Sequence, residues 1–229
     1  AENVHLLARG RQRAGAGADS TGTVVLKGDN TFAQGGRLQI DAESTFTSFG
    51  SLSGEQGSQW LVGGMLHSGG SLEVLGSMET LASGVVDLDG QGTIKGSLVN
   101  RGTFRVGGTG HLLFDNFVQL VGGPLLLDNR GVIEVDEGGT LQIATTGDPG
   151  GVVFATEVRN KPGGTFLIHG SLQSDGRLYN GGTINLGATG ELVGRFTQEA
   201  SGVLNAAGQV RAEREPAVEL HADEKIQIR

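Results

Sequence analysis

Glycine returns immediately ahead of short apolar strands along most of the chain, and this phase constrains the fold more than any other feature. GRLQIDAESTF opens at Gly36, GSLEVLGSMETL at Gly70 and GTFRVGGTGHL at Gly102. GVIEVDEGGTL opens at Gly131, GTFLIHGSL at Gly164 and GTINLGATGEL at Gly182. Each unit places apolar residues at two alternating positions, then a turn of small or polar residues, then another strand. In Thr103-Phe104-Arg105-Val106 the period of two sets Phe104 and Val106 on one face, with Thr103 and Arg105 on the other. Ile133 with Val135, and Ile184 with Leu186, repeat that choice. One such strand cannot bury its apolar face, whereas a stack of them makes a continuous interior.

Composition supports many short strands. The 229 residues include 42 Gly and only 4 Pro, and a helix would rarely last four turns before meeting a glycine. Glycine does not recur every third residue, which excludes a collagen-like chain. Asn100, Asn129 and Asn180 precede three of the glycine-led units, and Asn160 arrives slightly early because Lys161-Pro162-Gly163 intervenes. Asn beside Gly is expected to supply the turns through left-handed backbone.

The expected fold is all-β: a parallel β-helix (β-solenoid), right-handed, with short terminal caps. An antiparallel sandwich or barrel is the competing architecture, but it has no need for the same unit to return. Residues 1–20 are expected to be an N-terminal arm or cap, with a helix-compatible stretch at Val4–Ala8 and a Gly/Ala linker. The repeat domain is assigned to 21–211, and a charged cap of one or two strands to 212–229. Successive glycine anchors lie unevenly apart, and the short Gly164-to-Gly182 interval favours two small coils within each long interval. Strand starts are expected near Ser51, Val85, Phe117 and Val152.

The units NRGTFRVGGTGHL, NRGVIEVDEGGTL and NGGTINLGATGEL resemble the degenerate repeats of passengers in bacterial autotransporter and filamentous-haemagglutinin-type adhesins, and of related surface and phage tail proteins. The resemblance covers roughly Gly36 to Ala207. It implies a β-helix projecting from a surface, extracellular, with adhesive or structural duties. The haemagglutinin family's Asn-Pro-Asn-Gly secretion motif does not occur here, so a passenger fragment is what the resemblance implies.

Chemistry-bearing residues are sparse. With no cysteine, disulfides, cysteine-based zinc sites and thiol catalysis are excluded. The formal net charge of -8 disfavours nucleic acid, and no apolar run is long enough for a membrane helix, so direct membrane insertion is not expected. The closest carboxylate pair is Asp87-x-Asp89, which on a strand would face one way and could share acid–base duties or a metal ion. These two residues are the candidates for an alternative function, a polysaccharide-degrading β-helix lyase or hydrolase; the preferred reading places both in solvent and assigns no catalytic, cofactor-binding or metal residues. His5, His67, His111, His169 and His221 are dispersed and form no closely spaced pair. Trp60 and Tyr179 stand alone, while Phe104, Phe114, Phe154, Phe166 and Phe196 are expected inside. The expected function is thus an extracellular structural or adhesive module. Its expected partners are copies of itself or neighbouring segments of a longer rod, with a host-surface protein or glycan as ligand.

Overall fold

The computed structural model describes the backbone of residues 6–8, 11–14, 23–115, 126–147, 153–211, 218–220 and 225–228. Side chains are described for 24–115, 127–144 and 156–211. Every regular element among them is a β-strand, and all inter-coil pairings are parallel.

One coil shows the plan. Ser71–Val74, Ser77–Thr80 and Val85–Leu88 lie on a first, second and third face, and Gln91–Ile94 then returns to the first face beside Ser71–Val74. The third face is a ten-stranded sheet, to which each coil contributes one strand. The first two faces merge into an 18-stranded sheet because Ser171–Asn180 and Glu191–Gln198 run unbroken around their shared corner. The molecule is a parallel β-solenoid.

The alternation read from sequence sets the interior. Strand after strand shows second and fourth residues buried and first and third facing outward. Phe104, Val106, Ile133, Val135, Ile184 and Leu186 all join the core, as do Phe114, Phe166 and Phe196. Phe154 lies outside the residues with described side chains. Trp60 is also internal, edge-on to Phe32 with ring centroids 5.5 Å apart. Gly54 makes room for that indole, since a Cβ there would stand 2.7 Å from Trp60 Nε1.

The repeated asparagines do something other than turn the chain. Asn100, Asn129, Asn160 and Asn180 end strands of the second face with their amides buried inside the coil. Each Nδ2 donates to the side-chain oxygen one coil on: Asn100 to Asn129, Asn129 to Asn160 and Asn160 to Asn180, each at 2.8 Å. Asn180 donates to Gln198 Oε1 at 3.0 Å. The second amide proton goes to the carbonyl opening the next coil's third-face strand, on Val132, Thr165, Thr183 and Val203. A buried amide needs such partners, and within the ladder the stack supplies them; at its two ends Asn100 Oδ1 and Gln198 Nε2 are buried without a hydrogen bond. The left-handed turn expected at the Asn-Gly corners does not form at Asn100, Asn129 or Asn180, whose corner residues are absent from the positive-φ positions; only the longer corner after Asn160 uses left-handed backbone, at Gly163. At the short corners glycine is required by close approach, because a Cβ on Gly131 would lie 2.1 Å from the Gly102 carbonyl oxygen.

Coil length also differs from expectation. Thr103–Val106 pairs directly with Val132–Val135, and that strand with Thr165–Ile168, so the intervals between these anchors are single coils carrying insertions. The expectation of two small coils fails for these two intervals, whereas Gly36 to Gly70 and Gly70 to Gly102 each run through five strand steps, nearly two coils; the anchors lead strands on different faces, so their spacings mix unlike positions. Strands do begin at Ser51 and Val85; Phe117 and Val152 lie outside the described residues. At the N-terminal end Leu6–Ala8, within the helix-compatible stretch Val4–Ala8, is a strand paired with Asn30–Phe32, and Arg11–Ala14 beyond it pairs with Arg37–Ile40. Extended backbone wins there because the next coil offers it a full row of partners. Val4, His5 and most of the Gly/Ala linker lie outside the described residues. Val218–Leu220 and Lys225–Ile228 pair onto Glu191–Gln198 and Val203–Ala206.

Candidate functional site

Two places on the surface depart from plain repetition. The first is the outer row of the third face. Residues at the third strand position stack in register as Thr47, His67, Asp87, Arg105 and Glu134. Asp87 therefore faces outward beside His67, whose Nδ1 lies 3.1 Å from Asp87 Oδ2. Asp89 stands in the following corner with Oδ2 4.0 Å from His67 Nε2. Arg105 approaches Asp87 Oδ1 to 3.6 Å and hydrogen-bonds Asp136. The hydrogen bond to Asp136, followed by that residue's charge, holds the Arg105 guanidinium above its ordinary pKa.

Asp87 and Asp89 do lie on one side of the chain, but only Asp89 is in solvent as expected: Asp87 is mostly covered, with Oδ1 buried, because His67 and Arg105 stack on either side of it. The sequence reading missed His67, the group that joins them. Its signal was present but unusable without the coil length: His67 and Asp87 are 20 residues apart, one coil. Phe49 completes the group, edge-on to His67 with centroids 6.5 Å apart and more than half exposed. The lateral face itself is open, and Asp89 is the carboxylate that reaches solvent.

The second departure is the corner between the first and second faces. The other two corners hold almost uniformly two or four residues between strands, as between Asn100 and Thr103 or Thr80 and Val85. At this corner the connection falls from four residues after Gly54 to two after Val74 and Ile94. It then expands in two successive coils, between Phe114 and Leu126 and between Ile143 and Glu157. The second expansion carries an antiparallel hairpin, Thr145–Gly147 with Val153–Ala155, the antiparallel pair among the described strands. Where the corner narrows, a hollow of about 330 Å³ opens on the second face, lined outwardly by Arg37, Gln39, Gln59, Leu61, Glu79 and Val99. A second hollow of about 250 Å³ continues around the corner past Gln56, Gly57, Lys95 and Gly96.

Charged groups near these hollows are largely committed to partners. Lys95 meets Glu73 at 2.9 Å and Arg101 meets Glu79 at 2.9 Å, each reaching one coil back. Further along the second face Arg159 pairs with Glu157 and lies over the Tyr179 ring at 5.1 Å, so this tyrosine already holds a cation on its face. Exposed pairs like these add little stability, but they tie up the side chains that would otherwise converge on a substrate.

No family model matches the chain, and no curated protein matches it. Among solved structures it is similar to the TibC-catalyzed hyper-glycosylated TibA55-350 fragment, a crystal structure. That similarity has a TM-score of 0.34 at 14% identity and covers 93% of this chain and 93% of that one.

Proposed function

We propose that this chain is a non-catalytic structural or adhesive module of an extracellular protein, a rod that carries a recognition surface at one corner. The observation that supports it most is where irregularity is concentrated. A solenoid tolerates insertions wherever loops leave the stack, yet the two longest connections between described strands fall at the corner between the first and second faces, in adjacent coils. The hollow on the second face offers Arg37, Gln39, Gln59, Ser77, Glu79 and Ser97 over an apolar floor, a lining that suits the hydroxyls of a glycan or the backbone of a host-surface protein. Loops on a rigid scaffold are the usual location for binding residues.

Among the described strands, the outermost ones pair on one side only, and the open edge of such a strand is a template for another. Neighbouring segments of a longer rod, or a second copy, fit that edge. The charge balance argues against nucleic acid, and no described helix is long and apolar enough to cross a membrane.

Binding is tested by presenting the folded chain to glycan arrays, matrix proteins and cells, alongside a variant in which residues 145–155 are replaced by a short Gly-Ser link. The proposal predicts a ligand whose binding is lost in the shortened variant while its strand-type circular dichroism is retained. Uniform failure to bind, or turnover of any polysaccharide that depends on Asp87 and Asp89, contradicts it.

A further inference from the structure

The geometry points to a transition-metal site on the third face, formed by His67 Nε2 and the Asp89 carboxylate and oriented by Asp87. Three groups with metal-ligand chemistry, His67, Asp87 and Asp89, each bring one ligand atom within 4.8 Å of the others. They come from two successive coils, so stacking rather than local sequence assembles them.

The groups have distinct places. Asp87 Oδ2 accepts from His67 Nδ1–H at 3.1 Å, which fixes the tautomer and turns the Nε2 lone pair outward. Asp87 Oδ1 is buried without a hydrogen bond and lies 3.6 Å from the Arg105 guanidinium, so this carboxylate is already charge-compensated and acts as the orienting group. Asp89 meets no arginine or lysine among the described residues and is half exposed, with Oδ2 4.0 Å from Nε2. A cation bonded to both at about 2.0–2.2 Å needs those atoms roughly 3 Å apart, a movement an exposed aspartate makes by rotation.

The scaffold makes room for that carboxylate. Gly107, one coil on, lacks the Cβ that would stand 2.0 Å from Asp89 Oδ1. Thr109 Oγ1 donates to the Asp89 carbonyl at 2.8 Å, anchoring the backbone that carries it. An imidazole paired with one carboxylate selects zinc-like ions over calcium or magnesium, which prefer all-oxygen shells. Water, or a donor from a bound partner, fills the remaining positions.

The test is calorimetric titration of the tag-free full chain with zinc ion, repeated with calcium and magnesium, with cobalt absorption as a second readout. One zinc equivalent is expected to bind below millimolar concentration, with no comparable signal from calcium or magnesium. His67→Gln and Asp89→Asn abolish it, and Asp87→Asn weakens it roughly 10- to 100-fold by releasing the imidazole. Gly107→Ala weakens it too, by displacing the Asp89 carboxylate, whereas Glu73→Gln, remote from the cluster, leaves it unchanged. Circular dichroism confirms that each variant keeps its strands. Absence of saturable zinc binding, or zinc binding that survives His67→Gln, overturns the assignment.

Discussion

At the scale of single residues, the asparagine ladder and the glycine corners carry the most specific claims. Asn160 accepts from Asn129 and donates to Asn180 and to the Thr183 carbonyl, so truncation strands two buried amides and a carbonyl. Asn160→Ala is expected to destabilise the fold by about 1–3 kcal/mol for each group left buried and unpaired, read as a lower urea midpoint. Gly131 and Gly163 make a contrasting pair. A Cβ on Gly131 meets the backbone of the preceding coil, so Gly131→Ala must open the coil spacing, and overpacking of that kind costs about 1–3 kcal/mol or more. Gly163 has φ +89° with nothing within 4 Å, so Gly163→Ala incurs only the backbone term of about 1–2 kcal/mol. Thermal unfolding of the two variants should rank Gly131→Ala as the more damaging. Sequence made the asparagines conspicuous but misplaced them: a turn and a buried ladder both call for Asn next to Gly. Only the stacking of coils 29, 31 and 20 residues apart distinguishes them.

At the scale of strands and corners, what was legible followed from the period of two. Phe104 with Val106 and Ile133 with Val135 could be assigned inward before any coil was closed, because alternation is local. Face membership is not local. Gly36, Gly70 and Gly102 look alike in sequence yet lead strands on the second, first and third faces, so no single spacing among them gave the coil. The same gap hid the meeting of His67 with Asp87, although the Asp87-x-Asp89 pair itself was readable. The insertions make a prediction at this scale. The hairpin Thr145–Gly147 with Val153–Ala155 pairs with itself alone among the described strands, so its removal deletes no rung of the stack. Shortening that corner to two residues is expected to leave the unfolding midpoint within a few degrees of the parent, since loop length enters closure entropy only logarithmically.

At the scale of the whole molecule, the account rests on one architectural statement: each coil contributes one strand to every face, and the long coils are ordinary coils with insertions at one corner. Burial of the shared core and hydrogen bonding between adjacent coils, not local propensity, then hold the rod together, and ten third-face strands about 4.8 Å apart give a stack roughly 45 Å long. The absence of native cysteine permits a direct test by engineered disulfides. Thr103 and Val132 are outward-facing register partners on the third face, separated by the first insertion. With Thr103→Cys and Val132→Cys together, the Cα atoms sit one strand spacing apart, within the range a disulfide spans. Thr103→Cys with Thr165→Cys places them two spacings apart, beyond it. The account predicts rapid, near-complete oxidation of the first pair and none within the folded monomer for the second. No bridge between positions 103 and 132, with an efficient one between 103 and a residue inside the insertion, would mean that the interval holds two coils and that the corner is not where the chain departs from its repeat.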